Sequence, residues 1–377
     1  MAKTRKSKKI LSAIAAYAVL IVCSGCFGYF GAEFIDTQLG GERFFLHIGL
    51  AFIGVILAYI VQIILHEGGH LVFGLMSGYE FVSFNVLGLI WQKGPDGKLR
   101  LGRMQIAGAG GQCLMAPPQY NDGHFPFTLY NLGGVLMNLI SALICALVMA
   151  LVPAGWLTIL LGTQVFVAVF FGLLNGLPLP VAAIQNDGKN LLCIRRDATA
   201  RWAFWVQMSI AAELARGVRI KAMPDEWFTP MPEDKLDNPI ISSIPVMNTS
   251  RLMDKLDLAG AEEAIRALLS REKGVLPLHR MIMSCDGAVC ELIAGRPADL
   301  TESLSSKENQ QLMKAMKTNP SILRTEYALA LLKDRDTDKA EKCLATFDTA
   351  AKNHPHPQEI EGEREILAAI QRAANRS

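Results

Sequence analysis

The stretch "IILHEGGHLVFG", Ile63 to Gly74, puts His66, Glu67 and His70 in one of the most apolar parts of the chain. Histidines four apart share one helical face, with side-chain origins about 6 Å apart, so both imidazoles can reach one ion. Glu67 falls on the adjacent face, where a carboxylate meets water rather than the ion. This is the HExxH arrangement, which binds zinc and works on water. Ionisable side chains are costly in a membrane and mark function there. The plainer reading is a polar trio facing water at a helix end.

A zinc site needs a third protein ligand and one open position. Phe73 and Met76 stand where a metzincin would continue with Gly and His, which excludes that class. His47 lies near the outer end of the same apolar span, and His124 begins the next. His66 lies 22 residues beyond Phe44, about 33 Å along a helix, which puts the motif near one membrane face. Asp187, in "NGLPLPVAAIQNDGKNLL", ends the last apolar span at comparable depth. It is a carboxylate ligand candidate. Equally, Asn-Asp-Gly suits a helix cap or Asx-turn before "GKNLLCIRR". On the residues alone both readings stand.

The elements that would hold these groups are membrane spans. Ile10 to Ala32 and Phe44 to Leu65 lack Asp, Glu, Lys and Arg, as does everything from Gly123 to Asn186. Pro153-Ala-Gly-Trp156 divides the last block into Tyr130–Val152 and Trp156–Leu177. A bilayer core of about 30 Å takes roughly 20 apolar helical residues, so four transmembrane helices are expected. The basic start "KTRKSKK" and the positive stretches after the second and fourth spans place both termini in the cytosol, in a multi-pass plasma-membrane protein. The first span also reads as a signal peptide, and "VCSGC" resembles a lipoprotein box ending at Cys26. Cys23 stands where Leu is wanted, which favours an uncleaved helix.

The chain is 51% hydrophobic and 19% charged, with a net charge of +2, which implies no nucleic-acid partner; the expected partner is the lipid bilayer. Eight scattered cysteines fit a reducing compartment for the soluble part. Between residues 78 and 122, "YEFVSFNVLGLIW" and "KLRLGRMQI" read as two strands around "KGPDGK". Such a hairpin at the membrane edge could take an extended substrate as an added strand, or simply pack on the helices. "AGAGGQCLMAPP" is too Gly-rich for a stable helix. Residues 193–245 read as a cytosolic helix and a Pro-rich linker from Met223 to Pro245. Residues 246–377 read as a soluble helical domain that could carry a cytosolic protein partner. There, "LDLAGAEEAIRALLSRE" and "LLKDRDTDKAEKCLATFD" correspond at an offset of 76 residues, reminiscent of helix-hairpin repeats. Cys285 and Cys290 read as core, and His354 and His356 as loop residues.

Three motifs in order resemble the site-2 protease family of intramembrane zinc metalloproteases. "HEGGH" (His66 to His70) fits its HExxH. "GVLMN" (Gly134 to Asn138) is similar to its Gly-Pro-x-x-Asn, with Val135 for Pro. "NGLPLP" (Asn175 to Pro180) and Asp187-Gly188 resemble its Asn-x-x-Pro-x-Pro and Asp-Gly. The resemblance covers roughly Phe44 to Leu192, a membrane core of 44–192 preceded by a basic segment and first helix in 1–43. It implies one zinc ion held by His66, His70 and Asp187, Glu67 as general base and Asn175 facing the scissile carbonyl. The substrate it implies is a membrane-spanning protein or peptide. The gap from Asn175 to Asp187 is twelve residues, longer than the family usually has, and no PDZ or CBS module accompanies the core. The expected activity is intramembrane zinc endopeptidase. The competing expectations are a catalytically silent membrane relative that binds or scaffolds a partner, and a metal-dependent transport or immunity protein.

Overall fold

A computed structural model describes residues 18, 21–33, 36, 43–94, 97–103, 110–178, 186–352, 354 and 356–376. The chain forms two compact units. One is Met1–Gly88 with Gln105–Asp197, and the other is Leu89–Met104 with Ala198–Ser377.

In the first unit, α1 (Phe44–Met76), α2 (Thr128–Leu151) and α3 (Trp156–Gly176) are each long and apolar enough to cross a membrane, with mean hydropathies of 2.6, 2.4 and 2.3. Of the expected first span, residues 21–33 are helical, and Phe27 stacks on Phe166 of α3 at 4.0 Å. Residues 10–17, 19 and 20 of that span lie outside the described residues. The second span does not stop at Leu65. It runs on through His66 and His70 to Met76 as one helix of 33 residues, about 50 Å long. Nothing between Leu65 and Met76 breaks a helix strongly enough to end it: two adjacent glycines lower propensity but impose no stop.

Prolines set the other boundaries. Val152 is extended (ψ 149°) before Pro153, and Leu177 is extended (ψ 135°) before Pro178, as the residue before proline prefers. The α1–α2 contact is set by glycine. A Cβ on Gly69 would lie 2.7 Å from the Cβ of Met137 and would run into the carbonyl of Gly133, while one on Gly133 would meet the Gly69 carbonyl at 2.6 Å. Small residues on both sides let two backbones approach this closely.

Two antiparallel strand pairs correct the hairpin expected from the sequence. "YEFVSFNVLGLIW" is not one strand. It is cut at Leu87 (φ 50°) and Gly88 (φ 84°), the left-handed pair of a tight hairpin turn. On one side is β1 (Glu80–Val86), which pairs within the first unit with β4 (Gly111–Ala116), Phe84 opposite Cys113 and Val86 opposite Gly111. On the other is β2 (Leu89–Lys93), which pairs within the second unit with β3 (Leu99–Arg103), Leu89 opposite Arg103. β4 comes from the Gly-rich segment in which no strand was expected. The first unit ends in α4 (Asp187–Arg196).

The second unit continues with α5 (Ala198–Ala215), three short 3-10 turns and then α6 (Pro239–Asp254), α7 (Leu258–Leu269), α8 (Pro277–Ile293), α9 (Asp299–Ser303), α10 (Lys307–Ala315) and α11 (Pro320–Ala328). A π-helical turn (Leu329–Asp334) leads to α12 (Thr337–Lys352) and α13 (Pro357–Ala374). The Pro-rich linker is therefore shorter than expected. Pro239 opens α6, where a missing N–H is harmless, and Pro245 lies inside it. Cys285 and Cys290 of α8 are in the core, as read from the sequence. The two similar segments match in structure three residues later than in sequence. Leu256 and Arg335 both hold left-handed turns before α7 and α12, and buried Ala261 and Leu268 correspond to Ala340 and Phe347. Arg324 is 2% exposed, paired with Asp286 and 3.0 Å from Glu363. Removing one member of such a group strands a buried charge, at about 3–5 kcal/mol.

The glycine contact yields a test. Gly69→Leu forces α1 from α2 by overpacking, worth about 1–3 kcal/mol. The expected outcome is a lower melting temperature for the detergent-solubilised protein, whereas Gly68→Leu, where a Cβ meets nothing within 4 Å, leaves it unchanged.

Candidate metal centre

His66 and His70 project from α1, and Asp187 is the first residue of α4. The structure brings them together. His66 Nε2 is 3.1 Å from Asp187 Oδ2, His70 Nε2 is 3.5 Å from it, and the two Nε2 atoms are 3.3 Å apart. Nitrogen and oxygen ligands at about 2.0–2.1 Å around tetrahedral zinc stand about 3.3–3.4 Å from one another. The triangle has those edges.

The far sides of the rings identify what faces inward. His70 Nδ1 is 2.7 Å from the carbonyl oxygen of Tyr130, and His66 Nδ1 is 2.7 Å from Oδ1 of Asn138. A carbonyl only accepts, so each Nδ1 donates its proton outward. In the neutral imidazole that leaves each Nε2 a lone pair aimed at the Asp187 carboxylate. Asp187 Oδ2 is itself buried and receives no hydrogen bond. With both rings neutral, three electron-pair donors converge on one point, an arrangement that a cation between them would stabilise. The donor set of two imidazoles and one carboxylate suits zinc.

Asp187 is a candidate ligand and not the cap. Asn186 takes the capping role, its Oδ1 accepting from Lys189 N at 3.0 Å. Its amide also donates to the carbonyls of Leu174 (2.8 Å) and Leu177 (2.5 Å) at the end of α3. A Cβ on Gly188 would strike the Gly176 carbonyl. Asn186 and Gly188 therefore dock the start of α4 onto the end of α3, which carries Asp187 to the histidines.

Glu67 points to a different partner. Its Oε2 accepts from the backbone N–H of Cys113 in β4 at 2.8 Å, and a Cβ on Gly111 would come within 2.7 Å of Glu67 Cγ. Tyr130, whose carbonyl takes His70, donates its hydroxyl to the Cys113 carbonyl at 3.1 Å. Burial, reinforced by the Glu67 charge, pushes the Cys113 thiol well above its usual range, so it stays protonated and is no nucleophile.

Asn175 is not aimed at the trio. Its amide donates to the Phe171 carbonyl in its own helix at 3.1 Å. Deeper lie Asn138, the last residue of the GVLMN motif, and Gln62, which sequence reasoning missed. Asn138 donates to Oε1 of Gln62 at 2.5 Å, and Gln62 donates to Ser141 at 3.0 Å. Gln62 and Asn138 are fully buried. Their signal was an amide inside each of two apolar spans. Gly134 makes room beside them, since a Cβ there would meet His66 Nε2 at 2.5 Å. Among the described residues the only metal-type group is His66, His70 and Asp187; His47, His124, His354 and His356 lie outside it.

Compared with protein-family models, with curated proteins and with solved structures, the chain matches none.

About one zinc per chain is expected in the purified protein, lost in His66→Ala and in Asp187→Ala, by metal analysis. Asn138→Ala frees the His66 ring and should weaken zinc about 10–100-fold in a chelator competition, the usual cost of losing a ligand's orienting partner. An unchanged affinity would reduce Asn138 to a packing residue.

Proposed function

We propose that the chain is an intramembrane zinc endopeptidase that hydrolyses peptide bonds of membrane-spanning protein or peptide substrates. The observation that carries this reading is the buried triangle of His66, His70 and Asp187 beside a carboxylate in HExxH register. When bound, zinc lowers the pKa of a coordinated water to about 7 and polarises a carbonyl.

The chain's own residues supply the rest. Glu67 accepts a proton from the attacking water and passes it to the leaving amine. The Cys113 N–H holds Oε2 of Glu67 and leaves its Oε1 for that transfer. Asn138 and the Tyr130 carbonyl fix the two rings so that each Nε2 keeps its lone pair for the metal. Asn175 serves the developing oxyanion only after leaving the Phe171 carbonyl. β4, at the end of its sheet, is the natural place for an unwound substrate to add as a strand, and it already carries the peptide N–H that positions Glu67. In this reading four helices cross the plasma membrane, both termini are cytosolic, and residues 246–377 form a soluble helical domain that binds a cytosolic partner.

The test is a comparison of membrane proteomes from native cells carrying intact protein or Glu67→Gln. The variant should keep its zinc and lose about 10²–10⁴-fold in cleavage rate. An uncut single-span protein should accumulate only in the variant cells. With both proteins expressed at equal levels, identical proteomes would move the assignment to a silent binding relative or a transport or immunity protein.

A further inference from the structure

The second unit hides most of its large apolar side chains. Among its described residues the exposed ones are Leu89, Trp91, Leu99, Leu101 and Leu256. Four of these five lie in the β2–β3 hairpin, and the pairing puts them on one side. Leu89 is opposite Arg103, Trp91 opposite Leu101 and Lys93 opposite Leu99, and residues directly opposite in an antiparallel pair share a face. Trp91 and Leu101 therefore form the centre of that face. Leu89 and Leu99 flank them, with the cations of Arg103 and Lys93 at its two ends. All six side chains are exposed, Leu99 and Leu101 at 65%.

The other face of the hairpin is already used. Ile90 and Gln92 are buried, and Gln92 donates to the carbonyl of Ala215 at the end of α5 at 3.0 Å. Packing within the unit thus fixes the strand pair from behind and leaves the Trp91 face outward. A contiguous apolar patch rimmed by charge marks an interaction site.

Charge and tethering identify its occupant. Residues 89–103 carry Lys93, Lys98, Arg100 and Arg103 against the single acid Asp96. A second copy of the face would bring like charges together, whereas an anionic surface is attracted. The hairpin is also an excursion between two helices long enough to cross a membrane. β2 begins 13 residues after α1 ends, at most about 45 Å of extended chain, and α2 begins 25 residues after β3 ends. Trp and Leu beside Lys and Arg suit a bilayer surface, where the apolar groups enter the headgroup region and the cations meet anionic lipid. We infer that the Leu89, Trp91, Leu99 and Leu101 face docks on the anionic headgroups of the membrane that holds α1, α2 and α3, with Lys93 and Arg103 as its charge contacts. The inference does not depend on the peptidase reading. It gives the second unit a hold on the membrane other than the covalent chain.

The experiment reads Trp91 in the full chain reconstituted into lipid nanodiscs. Subtracting the emission of Trp91→Phe, which keeps the other four tryptophans, isolates its signal. Interfacial groups lie about 5–10 Å into the headgroup and acyl boundary, so lipid brominated in the upper acyl chain should quench Trp91 about twofold or more in discs containing phosphatidylglycerol. The quenching should fall in discs of phosphatidylcholine alone and in molar salt. Lys93→Glu with Arg103→Glu should abolish it without lowering the melting temperature, while Lys93→Arg with Arg103→Lys should retain it. Trp91 emission that brominated lipid leaves unchanged overturns the proposal, as does quenching that ignores both the lipid charge and the two reversals. If Trp91 is instead shielded from acrylamide only in discs holding two chains, the face joins copies of the chain and the proposal also fails.

Discussion

Everything in the first unit is arranged around one unfavourable contact: three lone-pair donors held within 3.5 Å of one another in an apolar setting. Left alone, such a cluster would spread apart or gather protons. It is held by anchors on the far side of each donor. Tyr130 and Asn138 tie the rings, while Asn186 ties the helix that starts with Asp187. The rings of α1 are tied from α2, and the cap of α4 is tied to the end of α3, so the site exists only when α1, α2, α3 and α4 are all in place. The glycines have the same logic. Gly69, Gly133, Gly134 and Gly188 each stand where a Cβ would collide with a neighbouring backbone or with His66. Removing side chains brings the helices close enough for those short hydrogen bonds.

The two units solve the burial of polar groups by different means. In the first, beyond the carboxylates of the metal centre, the polar side chains between the helices are amides and a hydroxyl that run in a chain, His66 to Asn138 to Gln62 to Ser141. A neutral chain loses little on transfer from water when every member is paired. That economy matters in helices whose other faces expose Phe52, Ile56, Leu143 and Leu147. The second unit buries full charges. Arg324, Asp286 and Glu363 form one group, while Arg219 and Asp254 form a half-buried pair that the exposed Glu365 extends toward solvent. Buried ion groups add little net stability, but they penalise any packing that separates their members. Arg324 links α11 to α8 and α13 by this means, in a part of the chain where the helices are short.

How much of this could be read from the residues differs by element. The His pair was legible because an i, i+4 spacing and an uninterrupted apolar run are local signals. Asp187 was half legible. Asn-Asp-Gly announces a helix start, but which of its first two residues caps and which is free depends on where α3 ends. The structure gives the cap to Asn186 because its amide also reaches the Leu174 and Leu177 carbonyls. Asn138 and Gln62 were in plain view as amides within apolar spans, yet their pairing joins residues 76 apart in sequence, across two helices. β4 was hidden by its composition. Glycines argue against strand and helix alike, and Gly111 is there because Glu67 packs on it. Asn175 was carried forward by motif alone, and its local i–4 hydrogen bond could not be inferred from spacing.

Glu67 shows why that last class of information matters. From sequence it is the middle of a motif, free to turn toward water. In the fold it is the only charged member of the motif bound to an element outside the helices, through the N–H of Cys113. A backbone donor does not vary with the side chain at position 113, so the interaction survives any substitution there except proline. It does depend on the register of β4 against β1, which places Cys113 opposite Phe84. A one-residue slip would turn the Cys113 N–H away and present a carbonyl, exchanging attraction for repulsion at a buried carboxylate. The irregularity between Phe81 and Ser83 sits just before this register begins. Bulges re-aim the residues that follow them, and the position that benefits is the one opposite Phe84. The strand pair is thus as much a part of the metal centre as the helix that carries its motif.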